Sequence, residues 1–190
     1  MQELDQYIQS YFGLEEHEIA TIQQLFKPET LKKHDYYLKM GRACERLSFI
    51  RSGYLRIFVT QADKEVTQWI STQGYFVTDL SALIFNTPAR WHIQALSDTE
   101  LFTISKSDYQ SIGDLIPRWH QLEKLFIAKC FGMLEERVFS LLSMSAEDRY
   151  KLLLDTNPAL LNEVPLQYLA SMLGMSAETF SRIRRKMMEA

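Results

Sequence analysis

Residues 164–188 read VPLQYLASMLGMSAETFSRIRRKMM, and this stretch predicts two helices joined by a tight turn. Leu166 and Leu169 recur at helical spacing, and Gly174 follows the apolar run at once. A glycine just past a helix can adopt the left-handed conformation that ends the helix. Ser176 then offers a hydroxyl that can accept a backbone N–H and cap the next helix. The stretch therefore predicts a helix-turn-helix unit.

The second predicted helix, residues 177–188, has two unlike faces. Phe180 and Ile183 belong to an apolar face that can pack on the first helix. The other face carries charged and hydroxyl groups, and in a helix-turn-helix this face enters the major groove of DNA. An ordinary helical hairpin with a charged outer face is the alternative interpretation. The residues predicted to contact DNA are Ser176, Glu178, Thr179, Ser181, Arg182, Arg185 and Lys186.

The sequence QYLASMLGMSAETFSRIRR, residues 167–185, resembles the helix-turn-helix of the Crp/Fnr family of bacterial transcription regulators. The likeness extends more weakly over nearly the whole chain. In that family a Glu, then a Ser or Gly, then an Arg face the bases, and Glu178, Ser181 and Arg182 occupy those positions. The Glu-x-x-Ser-Arg form is more similar to the Fnr branch than to the cyclic-AMP branch.

Composition and charge fit a protein that meets DNA with one end. The chain has 190 residues, of which 46% are hydrophobic, enough for a sizeable core in one or two domains. Residues 176–190 carry four cationic and two acidic side chains, a balance of +2. Because the whole chain has a net charge of −3, the remaining residues carry −5. The distribution predicts a basic tip on an acidic body.

No pattern in the sequence predicts a metal, a cofactor, an enzyme or a membrane span. Cys44 and Cys130 stand apart, unlike a zinc knuckle or the four-cysteine cluster of oxygen-sensing relatives. There is no nucleophile–base pair, no pair of carboxylates and no short metal-ligand spacing of histidines. No basic N-terminal region precedes an apolar run, and no stretch has the apolar length of a bilayer. We expect a cytoplasmic, non-enzymatic protein with no resident cofactor and an unknown effector.

Residues 30–105 show a period of two, with short strands separated by turn signals such as Ala62-Asp63. Such spacing predicts a sandwich or jelly roll. Residues 2–26 predict helix, closed by Lys27-Pro28 because the residue before a proline avoids the helical region. The apolar stripe of this helix comprises Leu4, Ile8, Tyr11 and Phe12.

The predicted fold class is α+β, with an N-terminal β-roll of the jelly-roll type as sensor domain. We assign residues 1–113 to this cyclic-nucleotide-binding-like β-roll. Residues 114–143 form the predicted dimerisation helix and hinge, and residues 144–190 form the predicted helix-turn-helix DNA-binding domain.

Residues 77–80 decide what the predicted β-roll could hold. In ligand-binding members of the family, a Gly-Glu-Leu turn and a nearby Arg grip the cyclic nucleotide, because a buried phosphate needs a bidentate cation and N–H donors. Thr78 and Asp79 replace that Gly and Glu here, and Ala89 stands at the Arg position. We expect that cyclic AMP is not held in the usual way. The candidate effector pocket comprises Thr78, Asp79, Leu80, Arg90 and Trp91.

Pro117 is predicted to open a helix that runs to about Ser143 and is about 38 Å long. Its apolar seam is too long for a small roll to cover alone. We predict that the seam packs on the same helix of a second subunit, with burial inside the subunit as the alternative. Glu135, Glu136 and Arg137 are expected to be solvated. The predicted dimer interface comprises Trp119, Leu122, Phe126, Cys130 and Met133.

These patterns predict a homodimeric, sequence-specific DNA-binding transcription regulator of the Crp/Fnr type. The resemblance implies that its partners are a palindromic double-stranded DNA operator, a second copy of itself and RNA polymerase. The alternative is a small-ligand sensor that acts through protein partners and whose DNA binding is weak or lost. Glu178, Ser181 and Arg182 favour the regulator, because they form a complete base-facing set.

Overall fold

The structure is a computed structural model that describes residues 2–62 and 64–189. Asp63 of the predicted turn and the Tyr11 side chain of the predicted apolar stripe lie outside the described parts. The helices are α1 Gln2–Phe12, α2 Glu16–Gln23, α3 Leu80–Phe85, α4 Lys106–Leu115, α5 Trp119–Ser143, α6 Ala146–Thr156, α7 Leu160–Glu163, α8 Leu166–Met172 and α9 Ala177–Met188. The strands are β1 Lys27–Leu31, β2 Tyr36–Leu38, β3 Arg46–Ser52, β4 Leu55–Gln61, β5 Lys64–Ser71, β6 Phe76–Val77, β7 His92–Ala95 and β8 Thr99–Ser105. The predicted α+β fold class is confirmed.

Two four-stranded sheets form the β-roll, in the strand orders β1-β8-β3-β6 and β2-β7-β4-β5. Strands distant in sequence pair in antiparallel register, with Phe49 opposite Phe102 and Ile57 opposite Ile93. Residues 47–50 of β3 are buried on both faces of their sheet, and the Phe49 ring lies 5.0 Å from that of Tyr7 on α1, so the roll and α1 share one core. The fully buried residues of this core include Phe49, Ile50, Leu55, Ile93 and Ile104.

Strand β1 begins earlier than predicted. The sequence places a helix end at Lys27-Pro28, whereas the structure pairs Lys27 with Thr103 and Pro28 with Phe102. A proline lacks the N–H that a central strand must donate, but β1 is the edge of its sheet and tolerates that loss. The helical segment ends at Gln23, earlier than predicted, and the roll begins at Lys27.

The chain divides into two compact units. The first comprises Met1–Val59 and Ile70–Lys129, and the second comprises Thr60–Trp69 and Cys130–Ala190. The second unit thus contains the tip of the β4–β5 hairpin, the second half of α5 and the helix-turn-helix. The domain boundaries predicted at residues 113 and 143 separate the expected functions, whereas these two units are separated by the contacts within the chain. The predicted boundaries stay a prediction.

The first turns of α5 are buried within the first unit, which changes the predicted dimer interface. Trp119, Leu122 and Phe126 are each less than a tenth exposed. The Phe126 ring lies 4.7 Å from that of Phe12 and 5.8 Å from that of Phe76, measured between centroids. These three members of the predicted interface are therefore covered within the single chain, and their part in a dimer stays a prediction. Cys130 is half-buried and Met133 is exposed.

An ion pair joins α2 to the start of α5. The Arg118 Nε donates to Glu18 Oε1 at 2.8 Å, and Nη2 of the same guanidinium donates to Oε2. The Glu15 N–H donates to Glu18 Oε2 at 2.8 Å. The hydrogen bond from Arg118 is the main cause that lowers the pKa of Glu18 to about 2, against burial, which raises it. The buried carboxylate is therefore ionised in the folded chain.

Replacing Glu18 with Gln should lower the free energy of unfolding by about 1–3 kcal/mol at neutral pH. A folded-state pKa near 2, below the ordinary value of 4.5, means that the pair stabilises the fold above about pH 4.5. That stabilisation is lost as the pH falls through the folded-state pKa. Urea unfolding of both proteins between pH 7 and pH 3 should show their difference shrinking at low pH. Glu16→Gln, an exposed change on the same helix, is the control, and a pH-independent difference would contradict the assignment.

Candidate nucleic-acid interface

The predicted helix-turn-helix is formed by α8, a short turn and α9. Gly174 ends α8 with a φ of 65°, the left-handed conformation predicted for it. The Met175 N–H donates to Ala170 O at 3.0 Å and closes the turn. A Cβ added at Gly174 would lie 3.2 Å from Cδ2 of Leu141, so the α5 side chain packs closely on the turn.

Helix α9 begins at the predicted cap. The Thr179 N–H donates to the Ser176 hydroxyl oxygen at 3.2 Å, which satisfies one of the unpaired N–H groups at the helix start. Phe180 and Ile183 are buried on the opposite side of α9. The Phe180 ring meets that of Tyr150 edge to face, with 5.2 Å between centroids. The apolar face of α9 is therefore anchored on α6, and its rotation about the helix axis is fixed.

The polar face of α9 is open to solvent. Six of the seven predicted DNA-contact residues are exposed, and the seventh, Thr179, is half-buried. At 100° per residue, positions 178, 182 and 185 lie along one line of the helix, with 181 and 186 on either side. The structure thus brings these predicted residues onto one accessible surface: Ser176, Glu178, Ser181, Arg182, Arg185 and Lys186.

The charge of Glu178 is favoured by its place in the first turn of α9. Its own backbone N–H, followed by the Ser176 hydroxyl, lowers the pKa of the Glu178 carboxyl. The residue is therefore an ionised acceptor at neutral pH, as contact with a cytosine amino group requires. Among the described residues no ion pair engages Arg182 or Arg185, so both guanidinium groups are available to a ligand.

Lys186 already has an acidic partner in α6. Its Nζ lies 2.8 Å from Glu147 Oε2, and Lys151 Nζ lies 3.2 Å from the other oxygen of that carboxylate. Lys186, and then Lys151, lower the pKa of Glu147. The predicted contact of Lys186 with a DNA phosphate stays a prediction. Binding a phosphate would compete with Glu147, which makes Arg185 the cleaner test of backbone contact.

Two arginines that the sequence did not assign to the site hold the end of α8. Arg137 on α5 donates from Nη2 to Met172 O at 2.9 Å, and Arg149 on α6 donates from Nε to Leu173 O at 2.9 Å. The expectation that Arg137 is solvated is wrong, because the side chain is half-buried and burial lowers its pKa. Every residue has a backbone carbonyl, so the sequence could not indicate which carbonyl would accept a hydrogen bond from either guanidinium.

In the candidate effector pocket, Asp79 satisfies donors of its own chain. The residue is 2% exposed and caps α3. Its Oδ1 accepts the Ala82 N–H at 3.1 Å, and its Oδ2 accepts the Arg90 N–H at 2.8 Å. A carboxylate thus occupies the N–H groups of the loop that an anionic ligand would need. These two N–H donors are therefore satisfied within the chain.

The other candidate pocket residues do not supply a cation to an enclosed site. The Thr78 hydroxyl donates to Arg46 O at 2.9 Å, and Leu80 is half-buried. Arg90 is exposed, and its guanidinium carbon lies 5.7 Å from the centroid of the half-buried Trp91 ring. The phosphate-binding set expected of a cyclic-nucleotide site is therefore not assembled among these residues.

Two absences hold for residues 2–62 and 64–189. No group of three or more His, Cys, Asp and Glu side chains is placed to hold a metal ion. No helix there combines the length and apolar character needed to cross a bilayer.

Residues 28–114 match the family model of the cyclic nucleotide-binding domain. The match spans the β-roll and α4 and shows that this part of the chain is similar to that domain. No curated protein matches the sequence.

Solved structures share the fold over most of the chain. FixK2 from Bradyrhizobium japonicum has a TM-score of 0.71 at 16% identity, with 86% of this chain and 85% of that chain covered. The c-di-GMP responsive global regulator CLP from Xanthomonas campestris has a TM-score of 0.67 at 17% identity, with 92% of each chain covered. The catabolite activator protein of Thermus thermophilus has a TM-score of 0.59 at 21% identity, with 94% and 86% covered. The resemblance to Crp/Fnr regulators is confirmed at the level of fold.

Calorimetric titration with cyclic AMP should show no binding tighter than about millimolar, because Asp79 already occupies the N–H donors and would repel a phosphate. Arg90→Ala is the matched variant, since Arg90 is the nearest cation to those donors in sequence. A micromolar constant in the wild type that disappears in Arg90→Ala would contradict this expectation and identify Arg90 as a phosphate ligand.

Proposed function

We propose that this protein is a homodimeric transcription regulator that binds a palindromic DNA operator through two copies of α9. The observation that carries the proposal is the single accessible face of α9, which presents Glu178, Ser181 and Arg182 while the opposite face is buried. The proposed site of action is the bacterial cytoplasm, with RNA polymerase as the partner on DNA. The protein acts by binding and not as an enzyme.

Base reading is the proposed role of the centre of this face. Glu178 can accept a hydrogen bond from cytosine N4, and Arg182, one turn on, can donate two to guanine O6 and N7. The Glu178 carboxylate can also orient the Arg182 guanidinium across that turn. Ser181 lies beside both and is short enough to reach a base edge. Arg185 lies further along α9 and is proposed to contact the phosphate backbone.

The proposed dimer interface is a seam on the second half of α5. Five exposed apolar residues follow one another at spacings of four, three, four and three, as the a and d positions of a coiled coil do. Each of them is 40–59% exposed in the single chain. Exposed apolar surface of this extent marks an interface. The seam consists of Ile127, Phe131, Leu134, Val138 and Leu141.

This seam replaces the interface expected from the sequence. Trp119, Leu122 and Phe126 lie on a face of α5 that packs within the first unit. At 100° per residue, Met133 lies roughly 120° from the centre of the seam. A parallel pair of α5 helices joined through the seam gives the two-fold axis that a palindromic operator requires.

The double change Leu134→Glu and Val138→Glu should give monomers, because it sets like charges against each other in the seam. Sedimentation velocity at micromolar concentration should show a dimer for the wild type and a monomer for this variant. The variant should also lose operator binding, since each half-site is then bound alone.

Met133→Glu is the matched control for the seam. It adds the same charge to an exposed apolar position on the same helix, outside the seam, and should leave the dimer intact. A monomeric wild type would remove the proposed dimer. Dissociation by Met133→Glu alone would instead support the interface expected from the sequence.

Arg182→Ala should weaken binding to the specific operator by about 1–3 kcal/mol and flatten base preference at one position of each half-site. Arg185→Ala should weaken binding to all sequences alike and reduce the slope of log affinity against log salt by about one unit per subunit. Selection from a random DNA pool, followed by salt titrations, measures both effects. Selected half-sites should lie about 10 base pairs apart, centre to centre.

Arg184→Ala is the control for Arg182 and Arg185, because it removes the same charge from α9 but lies off the exposed face. An unchanged base preference in Arg182→Ala, or selected sites without two-fold symmetry, would refute the proposed mode of reading. No binding to any member of the pool would favour the alternative of a ligand sensor that acts through protein partners.

A further inference from the structure

The C-terminal end of α8 is held by groups from three other elements. Its last carbonyls have no partner inside the helix, and they form the negative end of the helix dipole. Arg137 and Arg149 donate to Met172 O and Leu173 O, each at 2.9 Å. The Thr67 N–H of the β4–β5 hairpin donates to the Ser171 hydroxyl oxygen at 2.9 Å. All of these contacts lie within the second compact unit.

Arg137 is the member of this group that reaches α8 directly from α5. Its guanidinium carbon lies 4.7 Å from the centroid of the Trp69 ring, and its Nη2 bonds Met172 O. A planar guanidinium can stack on an aromatic face and donate from its edge at the same time, which a lysine ammonium cannot do. The side chain therefore fixes α5, the hairpin and the end of α8 together at one point.

Arg149 has a different role. It extends from α6 and bonds both Leu173 O and Met144 O, the latter at 2.6 Å, so it joins the turn to the segment that follows α5. Those contacts hold the helix-turn-helix together and fix its first helix. Arg137, in contrast, lies one residue before Val138 of the proposed seam and, at 100° per residue, about 80° from the centre of that seam, on the flank of α5 that contacts α8.

We infer that Arg137 is a positioning residue that fixes the helix-turn-helix on α5 and thereby sets the operator spacing that the dimer accepts. The inference rests on the proposed function. In such a dimer α5 defines the two-fold axis, so the joint between α5 and α8 sets the distance between the two copies of α9. One base pair of spacer moves a half-site by about 3.4 Å and about 34°. With a rigid joint between α5 and α8, the dimer should bind an operator of altered spacing less tightly. With a loosened joint, the dimer should tolerate the altered spacing.

The test compares operators that differ only in spacer length. The operator selected by the wild type is prepared with its own spacer and with one base pair added or removed. Affinities are measured for the full-length wild type, Arg137→Ala and Arg137→Lys. The preference of Arg137→Ala for the native spacer should fall by about tenfold, the scale expected for loss of one hydrogen bond from a charged group. Base preference within each half-site should not change.

Arg137→Lys should behave like Arg137→Ala, because a lysine keeps the charge but cannot both stack on Trp69 and reach Met172 O. Glu136→Ala, an exposed change at the neighbouring position of α5, is the control and should keep the wild-type preference. Equal weakening of Arg137→Ala on all three spacers would show a purely structural role and would overturn the inference.

Trp69→Leu keeps the inference testable if Arg137→Ala does not fold, as judged by circular dichroism. This variant removes the aromatic face and leaves the bond to Met172 O, so spacer preference should relax in the same direction but by less. An unchanged preference in Trp69→Leu would then overturn the inference. If the wild type selects no operator with two half-sites, the proposed function itself is refuted. If the wild type selects such an operator and the Arg137 variants keep its spacer preference, only the inference on Arg137 is refuted.

Discussion

The packing of Phe126 between Phe12 and Phe76 determines which face of the first half of α5 is covered within the chain. Once these rings are in contact, at 4.7 Å and 5.8 Å between centroids, the first turns of α5 cannot rotate about the helix axis. At 100° per residue, Ile127, the first residue of the proposed seam, is turned away from the Phe126 contact. Its side chain is 40% exposed.

Sequence patterns were sufficient for the parts of the fold that depend on local rules. Gly174 and Ser176 adopt their predicted end and cap conformations, because both follow from backbone sterics and a hydrogen bond three residues away. Local rules could not predict which face of α5 is buried. Two sets of apolar residues follow helical spacing along it, and only tertiary contacts with Phe12 and Phe76 decide which set is covered.

Two helix ends have backbone groups without a hydrogen-bond partner inside the helix, and side chains of opposite charge bind them. At the start of α3 the unpaired groups are N–H donors, and Asp79 supplies the anion from the adjoining residue. At the end of α8 they are carbonyl acceptors, and Arg137 and Arg149 supply cations from distant helices. From the sequence we expected Asp79 in an effector pocket and not as the cap of α3, although this partner is local. The sequence could not indicate the second site, because partners 35 and 24 residues away become neighbours only after folding.

The proposed seam contains no polar side chain, which affects how two helices would align along their length. Coiled coils often use a buried polar residue to penalise sliding of one strand past the other. In the seam from Ile127 to Leu141, only differences in side-chain volume can penalise such sliding. A slip of seven residues would set Phe131 of one chain against Val138 of the other and leave an aromatic ring opposite a small side chain. In the proposed dimer, apolar area governs how tightly the helices associate, and the shape of one ring governs their alignment.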